Sequence, residues 1–348
     1  MVLVLGICAA IWGIGRLLRL PQQVTWLMIG LVYLAVISLH LVLPADNSLR
    51  LATGGSAALW LMLGAAAAIV LAYIKGLAWL RARVRAPLEE PAQQGPFNDT
   101  ELSRYARHIV LREVGGLGQK RLKDAKVLVI GAGGLGSPAL LYLAAAGVGT
   151  IGVVDDDVVD NSNLQRQVIH PDRNIGMPKV HSAAEAMRAQ NPFVTVRRYQ
   201  RRLSEADASD LIADYDLVLD GTDNFTTRYL VNQVCVAQGK PLISGALSQW
   251  EGQISVFDPA NDAPCYQCIF PEAPAAGLSP SCAEAGVIGP LPGVVGAMMA
   301  AEAIKVITGA GVALRGQMMI YDALYGESRS IALKRRAGCP VCGDGAPS

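Results

Sequence analysis

The sequence predicts an α/β chain: a mostly parallel sheet with helices on both faces, extended by antiparallel strands and a four-cysteine site, and preceded by an apolar helical region. Three observations carry this. A short apolar strand at 126–130 runs into Gly131-Ala132-Gly133-Gly134-Leu135-Gly136 and then into an apolar helical pattern. Two C-x-x-C pairs stand at Cys265/Cys268 and Cys339/Cys342. The apolar excess, 52% of 348 residues, is concentrated in the first 80 positions. A length above 150 allows about two domains. The formal net charge of +1 gives no basis for a nucleic-acid partner.

Residues 24–43 carry no formal charge over 20 positions, the length a helix needs to cross a bilayer core. Residues 57–74 form a second candidate, and 1–15 a shorter third that would need Arg16 and Arg19 to reach the interface. Basic residues follow the 57–74 segment (Lys75, Arg81, Arg83, Arg85), while 44–56 holds only Arg50. Lys and Arg mark the cytoplasmic side, so the long C-terminal part is expected there, tethered to the cell membrane, whether two or three segments span. The expected organisation is a membrane region at 1–85, a polar Pro- and Gln-containing linker at 86–100, and a catalytic domain at 101–345.

The glycine turn after 126–130 lets backbone N–H groups approach phosphates at a helix N-terminus. Gly131, Gly133, Gly134 and Gly136 are therefore nucleotide-binding candidates in a Rossmann-like unit. A second strand, 150–154, ends at Asp155, placed to accept ribose hydroxyls, with Asp157 assigned to the same binding set. To this point NAD is the default ligand. The run NSNLQRQ at 161–167, with Asn163 and Arg166, and Lys179 in a G-x-P-K turn, instead suits the phosphates of a triphosphate. A third apolar strand, 216–220, runs into Gly221-Thr222-Asp223-Asn224. Ligands bind at the carboxyl ends of such strands, so Asp223 is a candidate Mg2+ ligand, with Asn224 in the site; helix N-capping is the competing reading. His170 and His181 flank the lysine turn and read as surface or helix-facing residues.

Four thiolates from two C-x-x-C units suit tetrahedral Zn2+ with no open position, a structural site. It would pin Cys339 and Cys342 to the loop after a strand at 250–257. Cys235 sits in an apolar helix pattern and reads as core; Cys8 reads as inert in the membrane region; Cys282 follows a Pro/Ala/Gly stretch at 271–280 and reads as a loop residue. Met298 and Met299 read as helix packing.

Residues 104–345 resemble the MoeB/ThiF/HesA family, prokaryotic relatives of ubiquitin-activating enzymes. The matching stretches are RYARHIVL (104–111), VLVIGAGGLGSPALLYLAAAGVG (127–149), SNLQRQ (162–167), TDN (222–224), CYQC (265–268), CAEAGVIGPLPGVVG (282–296), EAIK (302–305) and CPVC (339–342), in family order. The molybdopterin branch is the nearest in its cysteine pattern. The resemblance implies ATP and Mg2+ as cofactors beside Zn2+, and a homodimer. The implied reaction is adenylation of the terminal glycine of a small ubiquitin-like sulfur-carrier protein, ahead of thiocarboxylate formation for molybdopterin or thiamin. It further implies that Arg107 reaches the partner subunit's phosphate site, that Arg166, Lys179 and Asp223 act on the phosphates, and that Cys282 takes part in sulfur transfer in some members. No persulfide-supplying domain is visible after residue 345, so a separate sulfur donor is expected. An NAD-dependent oxidoreductase would share the glycine turn and Asp155 but leave NLQRQ, TDN and the cysteine pairs unexplained. The same fold could also serve as a membrane-anchored, non-catalytic scaffold, or act on a tRNA nucleoside. The apolar N-terminal segments are not part of the family pattern.

Overall fold

A computed structural model describes residues 2–18, 20–44, 46–54, 56–84, 95–274 and 285–343. The chain forms two compact units, Met1–Ala92 and Gln93–Ser348.

In the first unit, helices α1 (Val2–Leu17), α2 (Gln22–Val42), α3 (Ser48–Thr53) and α4 (Ala57–Val84) enclose a minimal core of Val4, Val36 and Trp60. Side chains tie the helices and their connections to backbone carbonyls. Tyr33 donates to the Trp60 carbonyl at 2.7 Å, the Trp60 indole to the Thr53 carbonyl at 3.1 Å, and Arg50 to the Leu43 carbonyl at 2.8 Å. The 21 residues of α2 span about 31 Å at 1.5 Å per residue. Among the described residues, α2 and the stretch Ser48–Leu77 are long and apolar enough to cross a membrane, whereas α1 is shorter.

The second unit begins before its first helix. Asn98 caps α5 (Asp99–Ile109) in a reciprocal capping box with Glu101. Phe97 meets Tyr105 edge-on, and the Pro96 carbonyl accepts from Lys123. The end of the expected linker thus packs on this unit; its residues 86–94 lie outside the described residues, as does Cys282.

Helix α6 (Gly115–Asp124) leads into an eight-stranded sheet: β1 (Lys126–Ile130), β2 (Thr150–Val154), β3 (Thr195–Tyr199), β4 (Leu217–Asp220), β5 (Leu242–Leu247), β6 (Glu251–Phe257), β7 (Gln317–Asp322) and β8 (Glu327–Ala332). The spatial order is β3-β2-β1-β4-β5-β6-β7-β8; the first five strands are parallel, and β6 to β8 add antiparallel. Strands β1, β2 and β4 are apolar and buried on both faces because helices cover both, whereas the edge strand β3 (TVRRY) is mostly exposed. Val127 and Val129 of β1 point into a core under α7 (Gly136–Ala146), α8 (Lys179–Gln190) and α12 (Pro290–Thr308). Leu128 and Ile130 point into a second core under α9 (Glu205–Ala213) and α10 (Phe225–Ala237), which includes Cys235. Helix α12 is also apolar and 19 residues long, yet half of it is buried and Met299 is fully enclosed: it is a core helix. A short α11 (Tyr266–Ile269) follows β6.

Candidate functional site

Strand β1 pairs with β2 on one side and β4 on the other, so the chain's path reverses at β1. Helices on either side of that point leave a crevice at the strands' carboxyl ends. A cavity of about 470 Å³ opens there, lined by Gly131, Gly133, Gly134, Asp155, Asp157, Arg166, Lys179, Asp223 and Asn224. Sequence-predicted residues from five separate segments therefore converge on one space.

The glycine turn is built by close approach. Gly131 has φ of 91°, in the left-handed region, and its N–H donates to the Val154 carbonyl at 2.8 Å. Gly136 lies beneath the turn and does not line the cavity: a Cβ there would stand 1.9 Å from the Gly131 carbonyl oxygen. Ala132, the residue after Gly131, is held at both its N–H and its carbonyl. Asp155 Oδ2 accepts from Ala132 N–H at 2.7 Å, and the Ala132 carbonyl accepts from His170 Nε2 at 2.9 Å. With Nε2 the donor, Nδ1 is the acceptor, 3.0 Å from Ser182 Oγ, which itself accepts from Asn174. His170 thus faces helix α8 through Ser182, as one of its two expected placements had it, but it is buried and not on the surface, and it supports the turn. Burial lowers its pKa, against the pull of the Ala132 bond, and keeps the imidazole neutral. The same desolvation raises the Asp155 pKa, opposed by Lys179 and the backbone donors.

The charged wall is pre-arranged. Lys179 is buried at the start of α8, and its Nζ lies 2.7 Å from Asp157 Oδ2. Asn163 stands behind the cavity wall and accepts from Arg166 Nη2 at 2.8 Å, orienting that guanidinium. On the third segment the helix cap is Asn224, whose Oδ1 accepts from Thr227 N–H at 2.8 Å. Asp223 is thereby left exposed at the cavity. Arg107 is exposed on α5 and does not line its own chain's cavity.

The cavity also holds residues that sequence reasoning missed. Arg201 and Arg202, past β3, line it and pair with Asp207 and Asp156. Arg228 on α10 and Tyr266 on α11 form buried wall. The only local signal for Arg228 was its place five residues after Asp223 at the start of a helix.

The four cysteines come together beside α11. Their Sγ atoms lie 3.9 Å apart for Cys265–Cys268, 3.6 Å for Cys265–Cys339 and 3.4 Å for Cys268–Cys342. All four are buried, with ligand atoms within 4.8 Å of one another. A disulfide would need about 2.05 Å. A tetrahedron with metal–sulfur bonds of about 2.3 Å has edges of about 3.8 Å, so this donor set fits one Zn2+. Burial pushes the Cys339 thiol up, but the Val341 and Cys342 N–H groups and the neighbouring thiols outweigh it and bring it to about 7. Because α11 carries both Cys268 and the cavity residue Tyr266, the cluster anchors one wall of the cavity.

A sequence model of the ThiF family matches residues 105–341. The SAMP-activating enzyme E1 of Haloferax volcanii is 49% identical over 246 residues, covering 71% of this chain and 90% of that protein. The sulfur carrier protein adenylyltransferase of Thermus thermophilus is 51% identical over 248 residues, 70% of this chain and 92% of its own length. Among solved structures, a complex of E. coli MccB superposes with a TM-score of 0.62 over 69% of this chain and 75% of that one, at 24% identity, a likeness of fold.

Proposed function

The chain belongs to the ThiF family, and from that premise we propose that it uses ATP to adenylate the C-terminal glycine carboxylate of a small ubiquitin-like sulfur-carrier protein. The observation that carries the proposal is the convergence of the glycine turn, Arg166, Lys179 and Asp223 on one cavity at the carboxyl ends of β1 and β4. A nicotinamide site would need the glycine turn and Asp155 but would have no use for two cations and a second carboxylate facing them.

The glycine turn's N–H groups and the α7 N-terminus receive phosphate oxygens. Asp155 keeps lone pairs for ribose hydroxyls beyond those its backbone bonds occupy. A carboxylate oxygen of the carrier attacks the α-phosphorus, the bond to the pyrophosphate oxygen breaks, and an acyl-adenylate and pyrophosphate form. No proton moves, because the carboxylate is already ionised near neutral pH. Arg166 and Lys179 offset charge on the departing phosphates, Lys179 exchanging Asp157 for phosphate. Asp223 offers a hard oxygen ligand to Mg2+, which when bound draws charge from the phosphate oxygens. Catalysis then rests on placement and charge stabilisation, with no covalent group on the enzyme. Zn2+ held by Cys265, Cys268, Cys339 and Cys342 is structural. Arg107 completes the site of a second subunit in a homodimer, a separate donor supplies sulfur, and the first unit anchors the chain in the membrane with the catalytic unit in the cytoplasm.

The test is carrier-dependent ATP–pyrophosphate exchange. Asp223→Ala and Arg107→Ala should each lower the rate about a hundredfold or more, the usual cost of one donor or ligand aimed at transition-state charge. Mixing the two variants should restore part of the activity, since each mixed dimer holds one site with both groups intact. Failure to recover despite subunit exchange would place Arg107 outside the partner's site. An unmodified chain with no exchange for any sulfur carrier would sink the adenylation reading itself.

A further inference from the structure

Arg228 is 5% exposed, and the proposed adenylation chemistry makes no use of it. Its guanidinium makes three hydrogen bonds: Nη1 donates to Ser244 Oγ at 2.8 Å, and Nη2 donates to the Gly245 carbonyl at 2.7 Å and to the Thr222 carbonyl. Nη1 also lies 4.0 Å from the carboxylate of Asp220, which is completely buried at the end of β4. Asp220 Oδ1 accepts from the Thr222 N–H at 2.9 Å and from its hydroxyl at 2.7 Å, while Oδ2 has no hydrogen-bond partner.

A buried ion pair is not an efficient stabiliser, because well-packed apolar residues of similar volume do as well or better. This one does something apolar residues cannot. Asp220 holds the N–H of Thr222 and Arg228 holds its carbonyl, so both ends of the residue immediately before Asp223 are fixed. The same guanidinium ties in the end of β5 through Gly245 and lies beside the Tyr266 phenol on α11. Its fork reaches three acceptors in different directions, which a lysine ammonium on a flexible stem does not reproduce.

We infer that Arg228 is a positioning residue: with Asp220 it clamps Thr222 from both sides and so fixes the direction in which Asp223 meets the nucleotide's divalent cation. This rests on the reading of Asp223 as the Mg2+ ligand in adenylation. The clamp predicts that loosening it weakens the metal–nucleotide complex before it weakens the fold.

The experiment uses the full chain in detergent and compares Arg228→Lys and Ser244→Ala with the unmodified protein. Three quantities are read: Mn2+ binding in the presence of ATP by electron paramagnetic resonance, the Mg2+ concentration giving half-maximal pyrophosphate exchange, and amide hydrogen exchange at Thr222–Asn224. Losing a bond from a charged donor should weaken Mn2+–ATP binding and raise the Mg2+ half-saturation by about tenfold or more in Arg228→Lys. Saturating Mg2+ should restore most of the rate, and the amides should exchange faster, with melting temperature and zinc content little changed. Ser244→Ala, which removes one grip on the guanidinium, should shift both metal readouts the same way by about threefold. A folded Arg228→Lys with unchanged Mn2+ binding and unchanged Mg2+ half-saturation overturns the inference, even if its rate falls. Should Arg228→Lys not fold, Ser244→Ala decides by the same criteria. If the unmodified chain binds Mn2+–ATP but exchanges no pyrophosphate, adenylation is refuted while the clamp is still judged on Mn2+ binding; if it binds no Mn2+–ATP, the clamp is refuted too.

Discussion

In the first unit Trp26, Leu27 and Leu34 are each more than half exposed, whereas in the catalytic unit Leu128, Leu140 and Leu143 are completely buried. Both units contain strongly apolar segments, but the direction in which those residues face is reversed. The apolar positions of α2 run round the whole helix, and only Thr25, Val36 and His40 of its residues are buried. A helix apolar on all sides needs an apolar surrounding, either protein or lipid. Helix α12, also strongly apolar, finds protein; α2 among the described residues does not. Apolarity alone therefore does not identify a core helix; burial separates α12 from α2, whose exposed apolar surface is what the proposed membrane anchoring would cover.

Four measurements test this difference between the units. The largest effect should come from Cys265→Ser with Cys339→Ser. Metal binding is coupled to folding, so the catalytic unit should lose its zinc and about 10 °C or more of melting temperature while helical signal from the first unit persists. Metal analysis and thermal unfolding check this, and metal-free protein of normal stability would remove the structural zinc. Next is Leu34→Arg, which places a charge near the middle of α2. In lipid it should cost about 2.5–3.5 kcal/mol of insertion, enough to move protein from the membrane pellet to the alkaline extract. On a water-facing helix the same change would alter nothing.

A smaller effect concerns His170. Its folded pKa lies below 6.5, so the unfolded chain binds the proton more tightly. The support it gives the glycine turn is fully present above pH 6.5 and is lost progressively as pH falls below that value. His170→Gln should flatten this acid slope of melting temperature; an unchanged slope would assign it to other groups. The smallest effect should follow removal of residues 1–92. If the two units are separate in function as in fold, pyrophosphate exchange by the remainder should stay within about twofold of the full chain.

Much of the catalytic unit could be read in the sequence because its elements are local. Strands β1 and β2 fall on the residues their apolar runs marked, and the glycine turn and T-D-N turn sit at the strand ends. The four cysteines meet as two C-x-x-C units should. What escaped is what only the third dimension creates. Nothing near Arg228 or Asp220 in sequence says that either is buried, because Ser244 and Gly245, which enclose the guanidinium, lie on another strand. That His170 is buried and supports the glycine turn escaped because its acceptor, the Ala132 carbonyl, is 38 residues away. Strand β8, exposed at all six positions, has no apolar alternation to announce it.

The cysteine cluster joins residues 74 positions apart. A ribosome adding about 5–20 residues per second needs roughly 4–15 s to make the intervening chain. Through that interval Cys265 and Cys268 have emerged as half a site, and α11, with Tyr266 on the cavity wall, lacks its anchor. The cavity wall that carries Tyr266 is therefore completed only after the second cysteine pair has been made, and until then Cys265 and Cys268 are thiols without their two partners.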